Sequence, residues 1–136
     1  MFILFSFLEH QLDSLCELFA RTQGLNIVHT DLRDRDIDRS RRYLRKVIRL
    51  QLDDNSTDWH EIKKVQKVRN VLVHENGRLI DDAAIKIVNE SDYLSRVNES
   101  NYERAIDEVN ILEGYLPFVL DTFSSYCREV NEAIEV

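Results

Sequence analysis

The stretch from Trp59 to Leu79 reads WHEIKKVQKVRNVLVHENGRL and carries the strongest structural signal in the chain. Its apolar residues recur at three- and four-residue steps, which predicts a helix over 58–74. The tripeptide Glu75–Gly77 follows, and asparagine and glycine tolerate the left-handed backbone conformation that ends many helices. We therefore expect the helix to stop at this tripeptide.

One face of this predicted helix is apolar and is expected to be buried. A projection at about 100° per residue places five residues on it: Ile62, Val65, Val68, Leu72 and Val73. Arg69 falls inside the same face, where an unpaired buried cation costs several kcal/mol. It therefore needs a carboxylate, a subunit interface or an anionic ligand, and Glu9 and Asp13 of the first helix are the candidate structural partners.

The opposite face of the same helix carries Lys63, Lys67, Asn70 and His74. Two cations, an amide and an imidazole are the groups that a phosphodiester site needs, because charge holds the anion and histidine moves protons near neutral pH. Two structural interpretations stay open. The lysines are equally typical of a solvated face, and a histidine at a helix C-terminus also interacts favourably with the helix dipole.

Outside this stretch the pattern is also largely helical. Helices are predicted over 2–21, 38–52, 81–94 and 112–134. Residues 98–110 lack helical periodicity and are expected to form a small hairpin or a loop before the last helix. With only 3 glycines and 1 proline in 136 residues, we expect one all-α domain of four to five helices spanning 1–136.

The charge is uneven along the chain. The net charge is −7, yet residues 33–69 alone carry +5, which permits an anionic ligand there. The alternating charges of 31–38 lack the glycine and the closing glutamate of a calcium loop, so no metal is expected.

The sequence also bears on the compartment. The apolar start MFILFSF lacks the basic segment of a signal peptide, and no stretch is long enough to span a bilayer. Cys16 and Cys127 are too few for a disulfide scaffold and are expected to be buried thiols. A cytoplasmic protein without a membrane partner is therefore expected.

A family resemblance rests on Arg69-Asn70-Val-Leu-Val-His74. This run resembles the R-x4-6-H motif of HEPN domains (higher eukaryote and prokaryote nucleotide-binding). Trp59 ahead of the motif, the run Glu75–Arg78 after it, and SFLEHQLDSLCELF in the first helix are similar to the prokaryotic stand-alone branch. The resemblance implies an up-and-down helical bundle that forms a homodimer through the motif helices.

The same resemblance implies a function. Active members are metal-independent endoribonucleases without a cofactor, found as toxins paired with antitoxins and in phage defence. His74 would then be the general acid or base, Arg69 would hold the scissile phosphate, and Asn70 would orient the phosphate or the histidine. Lys63 and Lys67 are added from the projection as contacts to the RNA backbone.

Arg69 and His74 are about 140° apart on a regular helix, so a joint site poses a geometric problem. A distorted helix end, a long reach by Arg69, or a composite site across a twofold axis would solve it, and the last solves it best. Two other functions stay open. They are a catalytically inactive HEPN-like module that dimerises and binds a protein or nucleotide, and a helical interaction domain with an accidental motif.

Overall fold

The computed structural model describes residues 2–53, 55–100 and 105–135. Its elements, in chain order, are helix α1 (Phe2–Thr22), a short 3-10 turn (His29–Asp31), helices α2 (Asp36–Lys46), α3 (Thr57–His74) and α4 (Asp82–Glu90), strands β1 (Leu94–Ser100) and β2 (Ala105–Ile111), and helix α5 (Tyr115–Glu135). None of the described helices is both long and apolar enough to cross a lipid bilayer.

The chain divides into two compact units. The central unit comprises Thr57–Tyr126, and the terminal unit comprises Phe2–Ser56 with Cys127–Val136. The candidate motif lies entirely in the central unit, so that unit positions the site.

The central unit holds α3, α4, the β-hairpin and the first half of α5. Strands β1 and β2 pair antiparallel, with Leu94 opposite Ile111 at one end and Ser100 opposite Ala105 at the other. Buried apolar side chains come from α3, the segment after it, α4, β1 and α5: Ile62, Val65, Val68, Val71, Leu79, Ala84, Val88, Leu94, Tyr115, Val119, Phe123 and Tyr126. Burying such side chains stabilises the fold by about 1.5–3 kcal/mol each relative to exposure.

The terminal unit is organised around a buried polar cluster between α1 and α2. The Ser40 hydroxyl donates to Asp13 Oδ1 at 2.7 Å, and His29 Nε2 lies 3.4 Å from the same oxygen. The thiol of Cys16 donates to the Ser40 carbonyl at 3.6 Å. Buried polar groups need such partners, so this cluster fixes how the two helices pack.

The all-α class predicted from the sequence is wrong, because the described residues combine five helices with a two-stranded antiparallel sheet, which makes the fold mixed α/β. The strands alternate only weakly between apolar and polar residues and are mostly exposed, so they carry little hydrophobic signal. What holds them is partly electrostatic, since Arg96 makes a two-pronged contact to Asp107 across the strands at 2.7 Å for each bond.

Other boundaries differ for local reasons. Helix α2 ends at Lys46 rather than 52, because Arg49 adopts a left-handed backbone with φ of 67° and the Leu50 N–H donates to the Leu44 carbonyl. This is the hydrogen bond of a glycine-type C-cap made without glycine, so the sequence gives no sign of it. Cys16 is buried as expected, whereas Cys127 is exposed and that part of the prediction is wrong.

Candidate functional site

Arg69 shares one face of α3 with buried apolar residues. Ile62 is fully buried and Val65 is 2% exposed, and Arg69 itself is half-buried beside them. Helix α3 remains α-helical through His74, so a distorted helix end does not bring the arginine and the histidine together. Val73, which was predicted on the apolar face, is instead 42% exposed.

A groove of about 200 Å³ lies at the C-terminal end of α3. Its polar lining consists of Lys67, Asn70 and His74 from the helix, and Glu75, Arg78 and Asp81 from the chain that follows. Three of the five residues predicted for catalysis or RNA binding therefore meet in one groove, and the structure adds Arg78 to them.

The turn after α3 shapes this groove. Asn76 and Gly77 both have left-handed backbones, with φ of 53° and 81°. The Gly77 N–H donates to the Val71 carbonyl at 3.0 Å, which is the helix-ending bond expected from the sequence. The chain then reverses and lies along β2, where the Leu79 N–H donates to the Asp107 carbonyl at 2.7 Å and the Val109 N–H donates to the Gly77 carbonyl at 2.9 Å. The hairpin thus fixes the backbone on either side of Arg78.

Lys67 is held within the protein. Its ammonium donates to the carboxylate of Asp81, which also caps α4 by accepting from the Ala83 N–H at 2.8 Å. The hydrogen bond from Lys67, helped by the backbone N–H of Ala83, lowers the pKa of Asp81. Lys67 therefore joins the groove wall to the start of α4, and much of its charge is neutralised there.

Arg78 differs from Lys67 in this respect. It is exposed at the groove and makes no ion pair with any residue that the structure describes. A guanidinium in that state can bind a phosphate with two parallel hydrogen bonds. Arg78 is therefore the cation that the groove offers to an anion.

Arg69 does not itself line the groove, but it binds Asn70, which does. Its Nη1 donates to Asn70 Oδ1 at 3.1 Å, so the guanidinium lies beside a residue that lines the groove with His74. Because the Oδ1 of Asn70 accepts this bond, its amide NH2 group is the part that remains to donate to a ligand.

The remaining predicted residues lie elsewhere. Lys63 does not line the groove; its ammonium donates to Gln66 Oε1 at 2.6 Å and lies 5.7 Å from the centre of the Trp59 ring. Glu9 and Asp13 belong to the terminal unit, where Asp13 binds Ser40. Their pairing with Arg69 stays a prediction.

No three His, Cys, Asp or Glu side chains lie close enough to share a metal ion in the part of the chain that the structure describes. Comparison of the chain with protein-family models, with curated proteins and with solved structures finds no match. A function for this chain must therefore be argued from the groove itself.

Arg78 is the groove residue that the projection of α3 missed. A helical projection ends with the helix, whereas Arg78 returns to the groove because of the left-handed turn at Asn76 and Gly77. The sequence did contain a usable signal, because an Asn-Gly stop followed at once by an arginine places that arginine near the last helical turn.

Proposed function

We propose that the chain is a metal-independent endoribonuclease that acts as a homodimer in the cytoplasm, of the toxin or phage-defence kind that the HEPN resemblance implies. The observation that carries the proposal is the groove in which His74, Asn70 and Arg78 meet, with Arg69 bound to Asn70. The groove thus holds a proton carrier, a hydrogen-bond donor and one guanidinium, and the guanidinium of Arg69 lies beside Asn70.

The proposed reaction is attack of a ribose 2′-hydroxyl on the adjacent phosphorus. The O2′–P bond forms and the P–O5′ bond breaks, while the 2′-hydroxyl loses a proton and the leaving 5′-oxygen gains one. The products are a 2′,3′-cyclic phosphate and a 5′-hydroxyl, with no change of oxidation state. His74 is exposed in the groove and performs one of the two proton transfers as general base or general acid.

The other groove residues act on the phosphate. Arg78 binds it by charge and by paired hydrogen bonds, and Arg69 stabilises the negative charge that develops on the phosphoryl oxygens. The amide NH2 of Asn70 donates to one of these oxygens while its Oδ1 holds Arg69 in place. Lys67 contributes mainly to the shape of the groove, because Asp81 holds its ammonium.

The homodimer is part of the proposal, with one groove in each protomer. The contact between Arg69 and Asn70 provides a route by which Arg69 and His74 act in the same protomer. A composite site that exchanges these residues across a twofold axis is therefore not required. An antitoxin or another protein partner would act by covering the groove.

The proposal is tested by incubating the protein with single-stranded RNA in the presence of EDTA. We expect cleavage that leaves 2′,3′-cyclic phosphate ends and that His74→Ala slows by about a hundredfold or more. His60→Ala is the matched control, since His60 is exposed on the same helix and does not line the groove. Equal cleavage by His74→Ala and the unaltered chain, or cleavage abolished by EDTA, would refute the proposal.

One observation favours a second candidate, the inactive module that binds a nucleotide or a protein. Glu75 and Asp81 line the groove together with Lys67 and Arg78, so these four charges balance. A balanced groove suits a small ligand with a single phosphate better than a long polyanion. Binding of a mononucleotide without any RNA cleavage by the unaltered chain would favour this candidate.

A further inference from the structure

A second pocket, of about 190 Å³, lies within the central unit. It lies at the C-terminal end of α4, whereas Asp81 precedes the N-terminal end of that helix. It is bordered by α3, by the C-terminal end of α4 and by the start of α5, and none of its lining residues belongs to the groove at His74. Its lining combines aromatic rings with carboxylates.

Carboxylates make the rim of this pocket negative. Glu61, Glu90 and Asp92 line it, and Lys64 is the cation among its lining residues. Lys64 already binds Glu61 at 3.1 Å, whereas Glu90 and Asp92 make no ion pair with any described residue. The C-terminal end of α4 adds the partial negative charge of its carbonyl groups. The rim therefore attracts a cation.

Aromatic rings form the apolar wall. Tyr93 and Phe118 stack with ring centres 5.2 Å apart, and Tyr115 lies 6.0 Å from Phe118. Gly114 fixes this arrangement, because a Cβ at that position would come within 3.1 Å of the Tyr93 ring. Aromatic faces attract organic cations within about 6 Å, more strongly when water is excluded.

The hydroxyl of Tyr115 is the second feature that points to a ligand. Tyr115 is 2% exposed and lines the pocket, and its hydroxyl makes no hydrogen bond to any residue that the structure describes. Burial also raises the pKa of Tyr115, so the group stays a neutral hydroxyl that can accept a hydrogen bond from a ligand N–H.

We propose that this pocket binds a primary alkylammonium group, with Glu90 and Asp92 pairing with its charge, the Tyr115 hydroxyl accepting one N–H, and the Tyr93 and Phe118 rings packing on its alkyl chain. The N–H donors of a primary ammonium match the three oxygen acceptors, which a quaternary ammonium could not use. Such a group comes either from a free aliphatic diamine or from a lysine side chain of another protein. The site is separate from the proposed ribonuclease groove and does not depend on it.

Calorimetric titration of the full chain tests the proposal. The probes are 1,5-diaminopentane and Nα-acetyl-lysine methylamide, which represent the two sources of the ammonium. The compound 1,5-pentanediol is an uncharged probe of the same length. We expect saturable binding of at least one amine and none of the diol. Binding of the diamine alone would identify a free amine as the ligand, and stronger binding of the lysine derivative would identify a protein side chain.

Variants locate the binding. Asp92→Asn and Glu90→Gln should each weaken it about tenfold, and Tyr115→Phe should weaken it about fivefold, since each loses one contact to a charged group. Asp121→Asn is the matched control, because Asp121 is an exposed carboxylate of α5 that does not line the pocket. The proposal is overturned if neither amine binds, if the diol binds as tightly as the diamine, or if Asp121→Asn weakens binding as much as Asp92→Asn.

Discussion

Arg78 and Lys67 carry the same formal charge at the same groove, yet their surroundings give them different roles. The ammonium of Lys67 is held by Asp81, whereas Arg78 has no such partner among the described residues. Releasing Lys67 to bind RNA would cost its contact with Asp81, and Arg78 can bind a phosphate without that cost. We therefore expect the two substitutions to differ in effect.

Arg78→Gln should raise the KM for RNA about tenfold with a smaller change in kcat, because it removes a phosphate contact made before and during the reaction. Lys67→Gln should raise KM less than threefold. A threefold change corresponds to a loss of about 0.6 kcal/mol of binding free energy. Steady-state kinetics on one short RNA would measure both. A larger effect for Lys67→Gln than for Arg78→Gln would contradict the assignment.

The salt dependence of RNA binding provides an independent check. With Arg69 and Arg78 as two phosphate contacts, the logarithm of affinity should fall with the logarithm of salt concentration at a slope of about −1.4. Arg78→Gln should bring the slope to about −0.7. An unchanged slope in Arg78→Gln would show that this guanidinium does not contact the phosphates.

Cys16 illustrates a single-residue effect on stability. Burial raises the pKa of its thiol to about 12, above the ordinary value of 9.0. Above pH 9 the unfolded thiol loses its proton while the folded thiol keeps it. The contribution of Cys16 to the free energy of unfolding is therefore fully present below pH 9 and is lost as the pH rises toward 12. Between about pH 8 and about pH 10 the contribution of Cys16 should fall by about 1 kcal/mol.

Urea unfolding at those two pH values would measure this loss in the unaltered chain and in Cys16→Ala. The variant should lose about 1 kcal/mol less across the interval, although it starts from a lower stability because of the missing sulfur. Equal losses in the two proteins would mean that Cys16 is not the group responsible.

At the scale of elements, the sequence predicts those whose signals are local. The apolar period and the Asn-Gly stop give α3 within one residue, and the period alone gives α1 within one residue. The end of α2 is not predicted, because the left-handed position that ends it is taken by Arg49 instead of by the glycine or asparagine that usually marks a helix end. For residues 98–110 the sequence leaves a hairpin and a loop open, because the pairing depends on contacts between strands, such as Arg96 with Asp107, rather than on an alternating apolar pattern.

The left-handed turn at Gly77 after α3 can be tested by substitution. Gly77→Ala should cost about 1 kcal/mol, because a left-handed backbone is strained for any residue with a Cβ. It should also lower kcat about tenfold, since the turn sets the position of Arg78 relative to His74. Gly24→Ala is the matched control, because Gly24 has a left-handed backbone with φ of 61° but lies in the terminal unit.

Urea unfolding should show similar losses of stability for the two glycine variants, while RNA cleavage should fall only in Gly77→Ala. If both variants cleave RNA at the same rate, the turn does not position the site.

At the scale of the whole molecule, the arrangement of Arg69 and His74 in the proposed homodimer can be tested by mixing variants. Arg69→Gln and His74→Ala should each be inactive, and we expect no recovery when their protomers are exchanged, because both residues serve the groove of one chain. A composite site would instead leave one intact site in each mixed dimer, and activity would recover to about a quarter of the unaltered level. Cleavage assays on refolded one-to-one mixtures distinguish the two arrangements.

Nuclear magnetic resonance of the histidine side chains tests most directly whether an RNA phosphate lies beside His74. The measurement follows the ring resonances of the four histidines as a short RNA is added whose 2′-oxygens are methylated, so that it binds without being cleaved. We predict that the His74 resonances shift in a saturable way and that those of His60 do not. RNA binding that leaves His74 unchanged while another histidine shifts would show that the groove at the end of α3 is not where this protein meets RNA.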